Sequence, residues 1–327
     1  MPDQSPTRRR HWPIVAIKLL IVVLVVWFIR RTIVDAWREL ESHPLQVDYG
    51  WLAAAGGFYL LGTFFCGVFW HRILRAMGQE VGFWKALRAF YVGHLGKYVP
   101  GKAMVVVLRA GMIRGSGVDA PLAVVSVFLE TLTMMAVGAL MAAGIVAFWF
   151  RGQPLLFWAS LGMMAVAGFP TLPPVFRALV RIVNLGRLSP AQLGKLNGLG
   201  YGTVVLGWIL NVIGWAILGL SYWAVLRALG VDDQNPLDRL HLYTAAVSLA
   251  TVVGFISMVP SGAVVREAAL TQATKLMMPG VGDSIALVAA VVLRLVWLAA
   301  ELVVLGVLSI RGWKRRGMRD KGLGTRD

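Results

Sequence analysis

Long apolar stretches separated by short polar ones are the first feature of this chain. Residues Ile14 to Ile29 are apolar throughout except for Lys18, and further apolar stretches cover about 51–70, 120–149, 155–176, 201–226 and 284–309. Each approaches the roughly 20 residues a helix needs to cross the hydrocarbon core of a bilayer. The pattern predicts an all-α polytopic membrane protein with six spanning helices. Arg8, Arg9 and Arg10 precede the first apolar stretch as they would in a signal peptide, but no small-x-small cleavage site follows and the rest of the chain is equally apolar.

Two segments break this rhythm. The stretch "GHLGKYVPGKAMVVVLRAG", residues 93–111, is too basic to span a membrane and too apolar for an ordinary loop. It lies between Arg72, Arg75 and Lys85 on one side and Arg109 and Arg114 on the other, so it enters and leaves on one face. A second segment of this kind covers about 241–278, between Asp232–Asp238 and Asp283. "YVPGKAMVV" (98–106) and "MVPSGAVV" (258–265) share a Val-Pro, a nearby glycine and an Ala-led apolar run. "APLAVVSVFLE" (120–130) and "SIALVAAVVLR" (284–294) follow them, each ending in one charge. Each half then reads span, span, broken hairpin, span. Because the halves start on opposite faces, they are expected to be inverted repeats, at 13–150 and 151–310, between a tail at 1–12 and a basic tail at 311–327.

Pro100 and Pro260 each remove a backbone donor, while Gly101 and Gly262 ease a reversal. A helix restarting after such a break offers free N–H groups to a phosphate or carboxylate. Both segments are therefore expected to be re-entrant hairpins, the first with Lys102 at its tip. A surface turn between an amphipathic helix and a short span is the plain alternative. Limb 241–259 is long enough to cross, which keeps eight spans open.

Charge adds orientation. The net charge is +16, and with the N-terminus inside, basic residues concentrate in the cytoplasmic segments while acidic ones favour the outer loops. Both termini are expected to be cytoplasmic in a bacterial-type plasma membrane. The basic inner rim then faces anionic inner-leaflet lipid, and nucleic acid is not needed to explain it. The single cysteine, Cys66, excludes an intrachain disulfide, and five scattered histidines offer no zinc spacing. No cofactor is expected.

Some charges fall where a bilayer should exclude them. Glu130, Arg294 and Glu301 lie in long apolar stretches, and Arg266 and Glu267 follow the second break. Each costs roughly 2.5–3.5 kcal/mol at mid-membrane on insertion scales, so each needs a partner or water. Arg294 and Glu301, two helical turns apart, share a face. Glu130 stands at the repeat-equivalent of Arg294 with the opposite sign, and an ion pair between those two is expected. It would be either a packing device or part of a polar path. Asn211 reads as a helix–helix hydrogen bond.

The chain resembles the lysylphosphatidylglycerol synthase transmembrane-region family of flippase-like membrane proteins, on "GKYVPGK" (96–102), Arg109, Glu130, "VPSGAVVREAAL" (259–270) and Arg294. The resemblance covers about 14–310 and implies a multi-span lipid translocation module. Two departures stand out. About 17 residues follow the last span, so an aminoacyl-transferase domain and aminoacyl-lipid synthesis are not implied. The second motif reads Pro-Ser-Gly with Arg266 before Glu267, where the family more often has Pro-Gly-Gly and no basic residue.

The expected function is movement of a phospholipid or polyprenyl-linked glycolipid through a polar groove between the repeats. Lys97, Pro100, Gly101, Lys102, Arg109, Glu130, Pro260, Gly262, Arg266, Glu267, Arg294 and Glu301 are the candidate lining residues for a phosphate-bearing head group. A small-solute or ion-coupled transporter would use the same architecture. A membrane enzyme with Glu267 as base and Arg266 or Lys102 as phosphate clamp would need a nucleophile or metal that the sequence does not offer. Nothing in the pattern sets the oligomeric state, and a homo-oligomer is compatible with it.

Overall fold

The computed structural model describes residues 47–98, 103–114, 117–149, 152, 154–183, 187–257, 262, 264–278 and 280–321. The predicted first span at 14–29, the tail at 1–12, Pro100, Gly101, Lys102 and Pro260 lie outside the described residues.

These residues form eleven α-helices: α1 (Tyr49–Ala76), α2 (Phe83–His94), α3 (Ala103–Ile113), α4 (Ala120–Trp149), α5 (Pro154–Gly168), α6 (Pro173–Ile182), α7 (Pro190–Lys195), α8 (Tyr201–Ala228), α9 (Pro236–Ile256), α10 (Val265–Met277) and α11 (Asp283–Lys321). No strand occurs among them. Five helices are long and apolar enough to cross a membrane: α1, α4, α8, α9 and the Asp283–Leu308 part of α11. The chain is an all-α polytopic membrane protein.

Four features add detail to the apolar pattern. The predicted span at 155–176 divides into α5 and α6, bent by 69°. Pro170, Pro173 and Pro174 fall at the joint, where missing N–H groups and ring clashes stop a continuous helix. Beyond the bend, α6 is amphipathic, burying Phe176 and Val180 and leaving Arg181 outward. The second broken segment is unequal: α9 has the length of a span and α10 has 13 residues. In the first broken segment both limbs are short, 12 residues in α2 and 11 in α3, or about 16–18 Å each at helical rise. Finally, α11 continues as helix through the basic segment to Lys321.

The core is built on α1 and α8, which run antiparallel. Asp48 caps α1 through its carboxylate, and its backbone N–H donates to Ala228 O at the far end of α8. At their crossing Gly62 faces Gly214, and a Cβ on Gly62 would lie 2.9 Å from Gly214 O. Small residues here let the backbones approach, the main source of affinity between helices in lipid. Asn211 donates to Gly207 O at 2.8 Å and receives the Cys66 thiol at 3.4 Å, the predicted helix–helix contact. Helix α9 packs against α8 and α4, and α11 packs against α1 and α10.

Candidate functional site

Each broken segment folds back through a glycine. In the first, Gly93 at the end of α2 faces Arg109 of α3, where an added Cβ would lie 2.3 Å from Arg109 Cγ. In the second, Gly254 near the end of α9 meets Gly262 and Arg266, at 3.5 Å and 3.0 Å from the position of a Cβ. Gly262 adopts φ +64°, and Val264, the N-cap of α10, adopts φ +68°. That conformation is sterically costly for a β-branched residue, so backbone strain sits at the restart of the helix.

The interior charges are compensated within each broken segment and the span that follows it. Arg109 Nη1 of α3 donates to Glu130 Oε2 of α4 at 2.5 Å, with both side chains 2% exposed. Arg294 Nη1 of α11 donates to Glu267 Oε1 of α10 at 2.6 Å. The two pairs carry opposite polarity: cation then anion in the first half, anion then cation in the second. The expected pairing of Glu130 with Arg294 is therefore incorrect. Helix α4 packs against α3 and α9, whereas α11 packs against α10 and α1, so each charge finds its counter-ion on the nearer neighbour.

A third pair links the two halves. Lys97, in the 3₁₀ turn Leu95–Tyr98 after α2, hydrogen-bonds the Glu301 carboxylate of α11. Tyr59 of α1 donates to the same oxygen, and Lys97 Nζ lies 3.1 Å from the Tyr59 hydroxyl. His94 Nε2 stands 3.9 Å from Glu301 Oε1, and the Lys97 ammonium lies 5.1 Å from the centre of the Tyr98 ring. Tyr59 stacks on Trp297 at 4.5 Å between ring centroids, and the Arg266 guanidinium lies over the other component of this stack, 4.2 Å from the Trp297 ring. Side chains from both broken segments thus meet on the inner face of α11.

The arrangement is not sealed. Glu301 is 4% exposed, whereas Lys97 keeps about a quarter of its side chain open and Arg266 is half-buried. One oxygen each of Glu267 and Glu301, together with Arg109 Nε, has no hydrogen-bond partner among the described residues. Buried polar atoms left this way are costly and mark places where a ligand or water can bind. No group of three or more His, Cys, Asp or Glu residues suited to a metal occurs among the described residues.

Along α1 and α11 runs an apolar groove of about 790 Å³, lined by Leu52, Gly56, Leu60, Val296, Ala299 and Val303 among others. Gly56 meets Ala300 and Val296 where the two helices touch, and all three residues belong to its lining. Ala300 adjoins Glu301, and Leu60 adjoins Tyr59.

The model of the lysylphosphatidylglycerol synthase TM region matches residues 15–304. The chain belongs to that family. A comparison with curated proteins finds no match. Within this family member, the residues singled out from sequence fall into two groups. Lys97, Arg109, Glu130, Arg266, Glu267, Arg294 and Glu301 are interior charges that the fold engages, and Gly262 shapes the second reversal. Tyr59, His94, Tyr98 and Trp297 were not anticipated. A signal for three of them existed: His94 and Tyr98 share a helical turn with Lys97, and Trp297 lies between Arg294 and Glu301 on their face. Tyr59, a lone hydroxyl in an apolar span, carried none.

Proposed function

We propose that this chain moves a phosphate-bearing lipid between the leaflets of a bacterial-type plasma membrane, with both termini cytoplasmic, and that it acts as a transporter rather than an enzyme. In this reading the two broken segments belong to inverted repeats, the first being a re-entrant hairpin, and they place their polar residues near mid-membrane. The lipid head group passes along the cluster of Lys97, Arg266, Glu301 and Tyr59 while its acyl chains stay in the apolar groove outside.

One observation carries the reading. The same two helices supply a polar, partly open cluster and an apolar groove, α1 giving Tyr59 to the first and Leu60 to the second, α11 giving Glu301 and Ala300. An amphiphile needs both environments at once, whereas a free solute needs only the first. Family membership supports a lipid-related role, and the interior charges supply the functional expectation that attaches to ionisable residues in membrane spans.

The test is leaflet exchange of fluorescent phospholipids in proteoliposomes, read by quenching of the outer leaflet. Faster exchange than in protein-free vesicles, reduced by Glu301→Gln, is the expected result. Exchange at the protein-free rate for every phospholipid and polyprenyl glycolipid tested would overturn the proposal.

A further inference from the structure

Charge bookkeeping in the polar cluster points to the class of head group. Glu130, Glu267 and Glu301 each hold a cation: Arg109, Arg294 and Lys97 respectively. Arg266 is different. Among the described residues it forms no salt bridge, and its guanidinium rests on the Trp297 ring at 4.2 Å. Stacking of this kind favours a cation without neutralising it. One oxygen of the neighbouring Glu267 carboxylate is taken by Arg294 at 2.6 Å, and Val264, the N-cap of α10, lends no side-chain cap to the turn where Arg266 sits. The N–H groups of that first turn add positive potential beside the guanidinium.

We infer that the cargo is a lipid whose phosphodiester head group carries a net negative charge, clamped by Arg266. This rests on the lipid-translocation reading and sharpens it. A phosphodiester presents two unesterified oxygens with one shared charge, the geometry that a planar guanidinium engages through paired N–H groups. A zwitterionic head group would bring an ammonium as well. Each of the three interior carboxylates already balances one cation, so an added ammonium would leave the cluster one positive charge in excess even beside the open oxygens of Glu267 and Glu301. Desolvating an unpaired ammonium is expensive, and net-anionic head groups are selected over zwitterionic ones sharing the same phosphodiester.

Native mass spectrometry of the purified full chain tests this, with dioctanoyl phosphatidylglycerol, dioctanoyl phosphatidylcholine and the free head group glycerophosphoglycerol as probes. Wild type should prefer phosphatidylglycerol over phosphatidylcholine by about tenfold or more, a difference typical of one charge-assisted contact. Arg266→Gln should abolish that preference, and Arg266→Lys, which keeps the charge, should retain most of it. Glycerophosphoglycerol should bind far more weakly than the lipid. Equal binding of the two lipids, or a preference that survives in Arg266→Gln, overturns the inference. Glycerophosphoglycerol binding as tightly as the lipid overturns the lipid assignment in favour of a soluble anion. Selective lipid binding with no leaflet exchange leaves the clamp standing and removes the transport reading.

Discussion

Arg294 donates to Glu267 across 2.6 Å, tying the helix that follows the second break to the final span. Arg109 and Glu130 do the same after the first break, at 2.5 Å. In both cases a buried ion pair fixes how a short helix docks on a long one, and the sign of each partner is exchanged between halves.

Pair specificity follows from these contacts. Neutralising one member alone, as in Glu130→Gln, strands a charge at 2% exposure and should cost roughly 3–5 kcal/mol. Arg109→Gln with Glu130→Gln should recover most of that loss. Glu130→Gln with Arg294→Gln should instead be additive, because each leaves its own partner unpaired. Thermal unfolding in detergent of the singles and both doubles measures the two couplings.

Glu301 should separate fold from function. A glutamine there keeps an acceptor for Tyr59 and Lys97, whose contacts hold it now, and the ammonium left behind is about a quarter exposed, unlike the buried Arg109, so the unfolding temperature should move little. Losing the negative charge unbalances Lys97 beside Arg266, and leaflet exchange should fall by about tenfold or more. A large loss of thermal stability without loss of exchange would contradict this division.

Helix crossing at Gly62 has a built-in control. Gly62→Ala would put Cβ 2.9 Å from Gly214 O, and forcing α1 and α8 apart should cost about 1–3 kcal/mol. Gly57→Ala, one and a half turns earlier with nothing within 4 Å of its Cβ position, should be neutral. Comparing their denaturation midpoints decides whether close backbone contact holds this pair.

Orientation is open to single-cysteine labelling in a Cys66→Ser background. Arg187 and Asn235 are both exposed, and they lie on opposite sides of α8. Asn235→Cys should react with an impermeant reagent from outside, and Arg187→Cys only after permeabilisation. The reverse pattern would invert the proposed topology.

Much of this molecule is legible from local sequence. The apolar stretches at 51–70, 120–149, 201–226 and 284–309 correspond to α1, α4, α8 and α11 because helix formation in lipid depends on a continuous run of apolar residues satisfying their own backbone. The interior charges were also visible, since a charged residue inside such a run stands out whatever surrounds it. The bend between α5 and α6 was less so: its prolines were plain, but hydrophobicity continued across them, and composition alone does not register a change of direction.

The medium, the positions of most long helices, the breaks and the list of charges that need compensation can therefore be read along the chain. Which residue compensates which depends on packing. Low dielectric demands a counter-ion for Glu130 but is indifferent to its identity, so Arg294 and Arg109 satisfy the demand equally on paper. Helix packing made the choice: Gly93 lets α2 and α3 close on each other, α3 docks on α4, and Arg109 arrives at Glu130. In the same way Tyr59, with no local mark, joins Glu301 and Lys97 because α1 lies against α11. Such contacts join residues as much as 242 positions apart, a distance over which hydrophobic periodicity carries no information.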